Sequence, residues 1–214
     1  PQGAPISPLL SNLYIRRLVL GWKVWGLDRR LGAHIVNYAD DLVICCRGSA
    51  EEAADGLREL VVRLKLTLNE SKTRVCCVSA ETFDFLGYTF GRCYRPETGE
   101  AYLGTRPSKR SIKRVCRVVS ERTNRRMLLK APEQVVIELN RLLVGWSNYF
   151  CLGPVSKAYR VADMHTSTRL RRWLCARHKQ RGKGTTRFPD EYLYEHLGLI
   201  RLTVRTRDFA WAKA

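Results

Sequence analysis

The sequence predicts an α+β fold: an antiparallel sheet covered by helices, followed by a basic, all-helical module. Three observations carry that expectation. The first hundred residues alternate helix-period stretches with short β-branched and aromatic runs. Beyond residue 105 the patterning favours helices. The charge is also uneven: of the net +18, residues 1–105 hold 13 Lys/Arg against 12 Asp/Glu, and residues 106–214 hold 25 against 8. A near-neutral half joined to a cationic one reads as two modules, 1–104 and 105–214.

The elements follow in order. "ISPLLSNLYIRRLVL" starts a helix, with Ser7 as N-cap, Pro8 at the first helical position, and Leu9/Leu13 and Leu10/Tyr14/Leu18 as an apolar stripe. "AHIVNYADDLVICCRG" at 33–48 reads as two strands around a bend. "SAEEAADGLRELVVRLKL" is a second helix, with Ser49 and Glu52 fitting a capping box and Ala53, Leu57, Leu60, Val61 and Leu64 on one face. "KTRVCCVS" and "FDFLGYTFG" read as short strands, Gly87 marking a bulge or a close backbone approach. "YRPETGEAYLGTRPSKR" reads as the connection between modules. Ser108 then caps a helix running to Arg126. Pro132 starts another, with Val135, Leu139, Leu142, Leu143 and Trp146 inward. A third spans about 155–180, and "KQRGKGTTR" is a basic loop.

Composition excludes several classes. No apolar run approaches the roughly 18–20 residues that a membrane span needs. The chain opens Pro-Gln-Gly with no Met, charged leader or signal core, and is expected to be a piece of something longer. The eight Cys form no C-x-x-C pair, and His34, His165, His178 and His196 complete no zinc spacing. They read as small buried hydrophobes in a reducing cytoplasm. The cationic half points to a polyanion, with nucleic acid ahead of a ribosomal-type role or an anionic membrane surface.

Two adjacent carboxylates, Asp40 and Asp41, separate the apolar runs Ile35-Val36 and Leu42-Val43-Ile44. In the plain reading they are a polar turn. In the chemical reading the sheet fixes their position: Tyr38 and Asp40 share a face and Asp41 is turned into the bend. Like charges a few Å apart repel unless a cation lies between them. Mg²⁺ suits oxygen ligands and phosphates, and two such ions clamp the attacking and leaving oxygens of nucleotidyl transfer.

These residues carry a resemblance. "YADD" at 38–41 resembles the catalytic box of reverse transcriptases. "PQGAPISPLLSNLY" at 1–14 resembles the segment preceding it in bacterial group II intron-encoded proteins, and "LNESKT" and "FDFLGYTF" resemble the next two blocks. "LNRLLVGWSNYF" and "RLRRWLCARHK" are similar to the maturase or thumb region. The resemblance implies an RNA-directed DNA polymerase of a mobile element that also assists intron splicing. Residues 1–104 would be part of its palm, without the fingers and first catalytic strand, and 105–214 its thumb/maturase module. Asp40 and Asp41 would bind catalytic Mg²⁺. Tyr38 would pack near the primer end, Gln2 and Gly3 by the nascent base pair, and Lys72 near the triphosphate or primer phosphates. Leu86-Gly87-Tyr88 would be the primer grip. Implied partners are intron and template RNA, a DNA primer and deoxynucleoside triphosphates, with no membrane; a homodimer is a candidate assembly.

Asn37 departs from the basic residue common before the tyrosine of the box. The larger departure is a third carboxylate, which the family carries on an earlier strand; neither Asp28 nor Asp84 substitutes for it. These residues alone are therefore expected not to polymerise. A catalytically dead RNA-binding maturase remnant is the alternative, and a metal-dependent nuclease a third. In the basic half, Lys109, Arg110, Lys113, Arg114, Arg169, Arg171, Arg172, Arg177 and Lys179 are the candidate RNA contacts. Trp146, Tyr149 and Phe150 sit at core-packing spacing, with Trp173, Tyr192, Tyr194 and Trp211 as further aromatics among the cations.

Overall fold

The structure, a computed structural model, describes residues 6–39, 41–95 and 97–205. It is mixed helix and antiparallel strand, and its chain divides into two compact units, Pro1–Cys77 and Val78–Ala214. The strands before residue 104 thus fall in both units, whereas charge alone sets the module boundary at 104. No described helix is long and apolar enough to cross a membrane.

In the first unit α1 (Ser7–Val24) leads into the single turn α2 (Leu27–Arg30), a hairpin of β1 (Ala33–Tyr38) and β2 (Asp41–Cys46), and α3 (Ala50–Arg63). Pro8 is in the first turn of α1, as its missing N–H permits. Ser7 is already helical, however, and Ile6 takes the cap position without a side-chain bond. The expected stripe of α1 is buried only near its C-terminal end, at Leu18 and also at Trp22; Leu9, Leu10, Leu13 and Tyr14 are exposed. Trp22 donates its indole N–H to Ala33 O at 2.9 Å, fixing the start of β1. Against these pack Leu27 and the apolar face of α3, Ala53, Leu57, Leu60 and Val61. Ser49 caps α3 as expected, its Oγ accepting from Glu52 N at 3.2 Å.

The hairpin register pairs Ala33 with Cys46, Ile35 with Ile44 and Tyr38 with Asp41. Period two sends Ile35, Leu42, Ile44 and Cys46 to the helices and the alternate residues to the other face. After α3 the segment 72–79 forms no strand, contrary to expectation.

The second unit opens with a three-stranded antiparallel meander, β3 (Phe83–Phe85), β4 (Tyr88–Tyr94) and β5 (Ala101–Pro107). The stretch read as an inter-module connection is therefore a hairpin. Gly99 takes φ +69° in the loop, where Arg95 pairs with Glu100, while Tyr102, Leu103, Gly104 and Pro107 lie on a paired strand. The single sheet expected from the sequence is thus two small ones. Beyond Pro107 the described elements are all helical: α4 (Lys109–Arg122), a 3-10 turn (Arg125–Met127), α5 (Pro132–Tyr149), α6 (Ser156–Arg177), a π-helical turn (Tyr192–His196) and α7 (Leu202–Arg205). Ser108 caps α4, accepting from Ser111 N at 3.1 Å. Val119, Leu139, Leu143, Tyr159, Leu170 and Leu174 form the centre of the core, each fully buried.

Candidate functional site

The carboxylate hairpin closes with a two-residue connection, 39–40, and Ala39 adopts φ +53°. Asp41 is not in the bend: it is the first residue of β2, exposed and opposite Tyr38. Tyr38 is 64% exposed on the face away from the helices. Asp40, Gln2, Gly3 and Trp211 lie outside the described residues. Lys72 is exposed in a turn rather than at a strand end, with its N–H on Asn69 O at 3.0 Å.

Carboxylate oxygens suit Mg²⁺, and the exposure of Asp41 leaves the group accessible to solvent. Among the described residues, which do not include Asp40, no group of three His, Cys, Asp or Glu could hold a metal ion. No catalytic step through a metal follows from this geometry. Of the Cys, only Cys93 and Cys175 are buried; Cys45 and Cys77, expected inside, are exposed, Cys45 because period two on β2 turns it away from the face that Cys46 shares with the core.

The second motif hairpin is built differently. Leu86 (φ +52°) and Gly87 (φ +81°) form the two-residue turn between β3 and β4, a mirror-type turn that favours Gly at a positive φ. Gly87 is not a bulge. It makes the close approach: a Cβ there would lie 2.9 Å from Phe150 Cζ. Tyr88 is 7% exposed, donates its hydroxyl to Tyr149 O and accepts from Leu152 N at 3.4 Å. Tyr149 in turn donates to Leu86 O at 3.0 Å. Burial pushes the Tyr88 phenol above its ordinary pKa. All three motif residues are held against the C-terminal end of α5.

The basic candidates separate into two groups. Lys109, Arg110, Lys113, Arg114, Arg172 and Lys179 are exposed. Arg169 turns inward and donates to Ser120 O, Thr123 O and Thr123 Oγ1 at 3.1–3.2 Å, closing the carbonyl end of α4. Arg171, its side chain 12% exposed, donates to Phe188 O and pairs with Asp190. Arg177 donates to Leu128 O and Lys130 O. Of the aromatics, Trp173 and Phe150 are core and Trp146 packs against it, while Tyr149 stays exposed. Sequence reading weighed His178 and His196 only as zinc ligands and passed over Phe188; with Tyr192 they form a row of rings, and the i, i+4 spacing of 188, 192 and 196 was the available signal.

Comparison with known families gives two matches in series. Residues 1–90 match the family described as reverse transcriptase (RNA-dependent DNA polymerase), and residues 112–189 match the group II intron, maturase-specific domain. No curated protein matches the chain.

Proposed function

Because the chain belongs to the group II intron reverse transcriptases/maturases, we propose that residues 1–90 contribute the Asp40–Asp41 pair of an RNA-directed DNA polymerase. The helices beyond 107 bind intron and template RNA. The observation that carries the reading is the order of the two family matches on one chain, the first containing a rigid ribbon with Asp41 and Tyr38 uncovered at its tip. Two Mg²⁺ ions, when bound, supply the positive charge that stabilises the attacking and leaving oxygens of nucleotidyl transfer. The chain's own part is positional. Pairing to Tyr38 fixes Asp41 on a ladder anchored by Trp22. A DNA primer and deoxynucleoside triphosphates complete the substrate set, and Gln2, Gly3, Lys72 and Leu86-Gly87-Tyr88 are the candidates that the family resemblance implies for contacting them. In the second unit, the exposed Lys109, Arg110, Lys113, Arg114, Arg172 and Lys179 neutralise phosphates.

In this reading the family's third carboxylate has no counterpart in Asp28 or Asp84, and the 214 residues alone are expected not to extend a primer. Primer extension on an RNA template with Mg²⁺, run on the native gene product, tests the reading. Extension is expected to fall to background in Asp40→Asn and in Asp41→Asn while RNA binding persists. Extension that survives either change removes that carboxylate from the mechanism. RNA binding with no extension in the unaltered product would instead mark a maturase without polymerase activity, and Mg²⁺-dependent cleavage without nucleotides a nuclease.

A further inference from the structure

Four rings stand in a row in the second unit. His178 and Phe188 have centroids 5.7 Å apart, Phe188 and Tyr192 5.5 Å, and Tyr192 and His196 4.9 Å with planes only 14° apart. The row is anchored at its middle and uncovered at both ends: Phe188 is buried and Tyr192 half-buried, while His178 and His196 are exposed. Core packing accounts for Phe188 and Tyr192, but it gives no reason for an exposed imidazole to lie flat on a tyrosine. Tyr192 and His196 belong to the π-helical turn, closed by Leu197 N–H on Tyr192 O at 2.9 Å. Such turns are rare and concentrate at functional sites. Between the first two rings runs the exposed cationic loop 179–187, which includes Lys183 and Arg187.

We propose that this ring row and loop 179–187 form a stacking site for unpaired bases of single-stranded RNA. One base lies on the exposed ring of His196, and the backbone phosphates follow the loop cations. Bases held in a duplex offer no free face, whereas splayed bases of loops and ends stack on aromatic side chains beside a cationic track. The parallel Tyr192–His196 pair is the geometry that such a base would extend by one more ring. The proposal rests on the RNA-binding reading of the second module and adds to it the class of RNA and the residues that meet the bases.

Fluorescence anisotropy on the 214-residue chain tests it, with a labelled unstructured RNA 12-mer and a phosphodiester oligomer of equal length carrying abasic sugars as probes. His196→Ala is expected to weaken the RNA about tenfold, the order of one lost base–aromatic stack. His196→Phe restores the affinity, the abasic probe is indifferent to either change, and the salt slope stays constant. His196 is exposed, so thermal melting of both variants should match the unaltered chain. Equal binding of the RNA by His196→Ala and the unaltered chain, or equal binding of the two probes by the unaltered chain, overturns the stacking site while leaving RNA binding intact. Failure of the unaltered chain to bind any RNA overturns both.

Discussion

Two hairpins in this molecule close with two-residue turns, and both read as functional motifs, yet the fold uses them in opposite ways. The β1–β2 hairpin keeps only its inner face for the core and leaves Tyr38 and Asp41 uncovered. The β3–β4 hairpin presses its turn into α5: Gly87 meets the Phe150 ring, Tyr88 is buried, and Tyr149 binds Leu86 O. The same turn length therefore serves once to present chemistry and once to lock a sheet to a helix. A motif residue's availability depends on whether another element packs against it, which letters alone do not state.

The difference can be broken at the turns themselves. Gly87→Ala should destabilise the second unit by about 3 kcal/mol, combining a positive φ with overlap on a ring that is itself packed. Ala39→Gly should stabilise the first unit by roughly 0.5 kcal/mol or more, since Ala39 already holds φ +53° with a Cβ. Chemical denaturation measures both. An unchanged midpoint for Gly87→Ala would mean that Phe150 does not rest on the turn, and the two hairpins would then be alike.

The same division recurs along one helix and sharpens the contrast. Arg169 closes the end of α4, whereas Arg172, three residues on, faces water. Arg169→Ala leaves two carbonyls and a hydroxyl without their donor and should cost about 2 kcal/mol, with the salt dependence of RNA binding unaltered. Arg172→Ala should change stability by less than about 0.5 kcal/mol and lower the salt slope by about one. Melting and anisotropy across a salt series read the two effects separately. The reverse assignment would show that inward arginines, not outward ones, meet the nucleic acid.

Much of the fold was legible in the sequence because its signals are local. Ser49 and Ser108 cap the helices that their spacing announces, and Pro132 starts α5. The hairpin around the carboxylates follows from alternation. What failed depends on contacts between distant residues. Residues 94–107 look like a linker until β4 and β5 pair, and 72–79 alternate like a strand yet form no ladder with either sheet. Charge counting found the cationic half but could not separate Arg169, Arg171 and Arg177 from Arg172, since the carbonyls that capture the first three lie on other elements.

The smallest effect tests how closely the inward and outward arginines of α6 are coupled. Between them in influence stands His165, whose Nε2 is 2.9 Å from Ser120 Oγ. That hydroxyl already donates to Cys116 O at 3.0 Å, so it accepts and the imidazole Nε2 carries the hydrogen. Burial pushes the imidazole below its usual 6.5; the Cys116 contact opposes this, and Arg169 and Arg172 add to the lowering by repulsion. Cys116 itself, pushed up by burial, stays a neutral thiol and supplies no counter-charge. The unfolded chain therefore takes up the proton more readily than the folded one. The stability linked to this group is full above about pH 6.5 and is lost as pH falls through the lower folded value. Melting from pH 7.5 to 5 should show a steeper decline in the unaltered chain than in His165→Asn. Arg172→Ala should raise the His165 midpoint in an NMR titration, and saturating RNA, by neutralising Arg172, should move it the same way. A midpoint indifferent to both would mean that the outward arginine is electrically isolated from the helix interior, and that the two faces of α6 are as separate as the two hairpins.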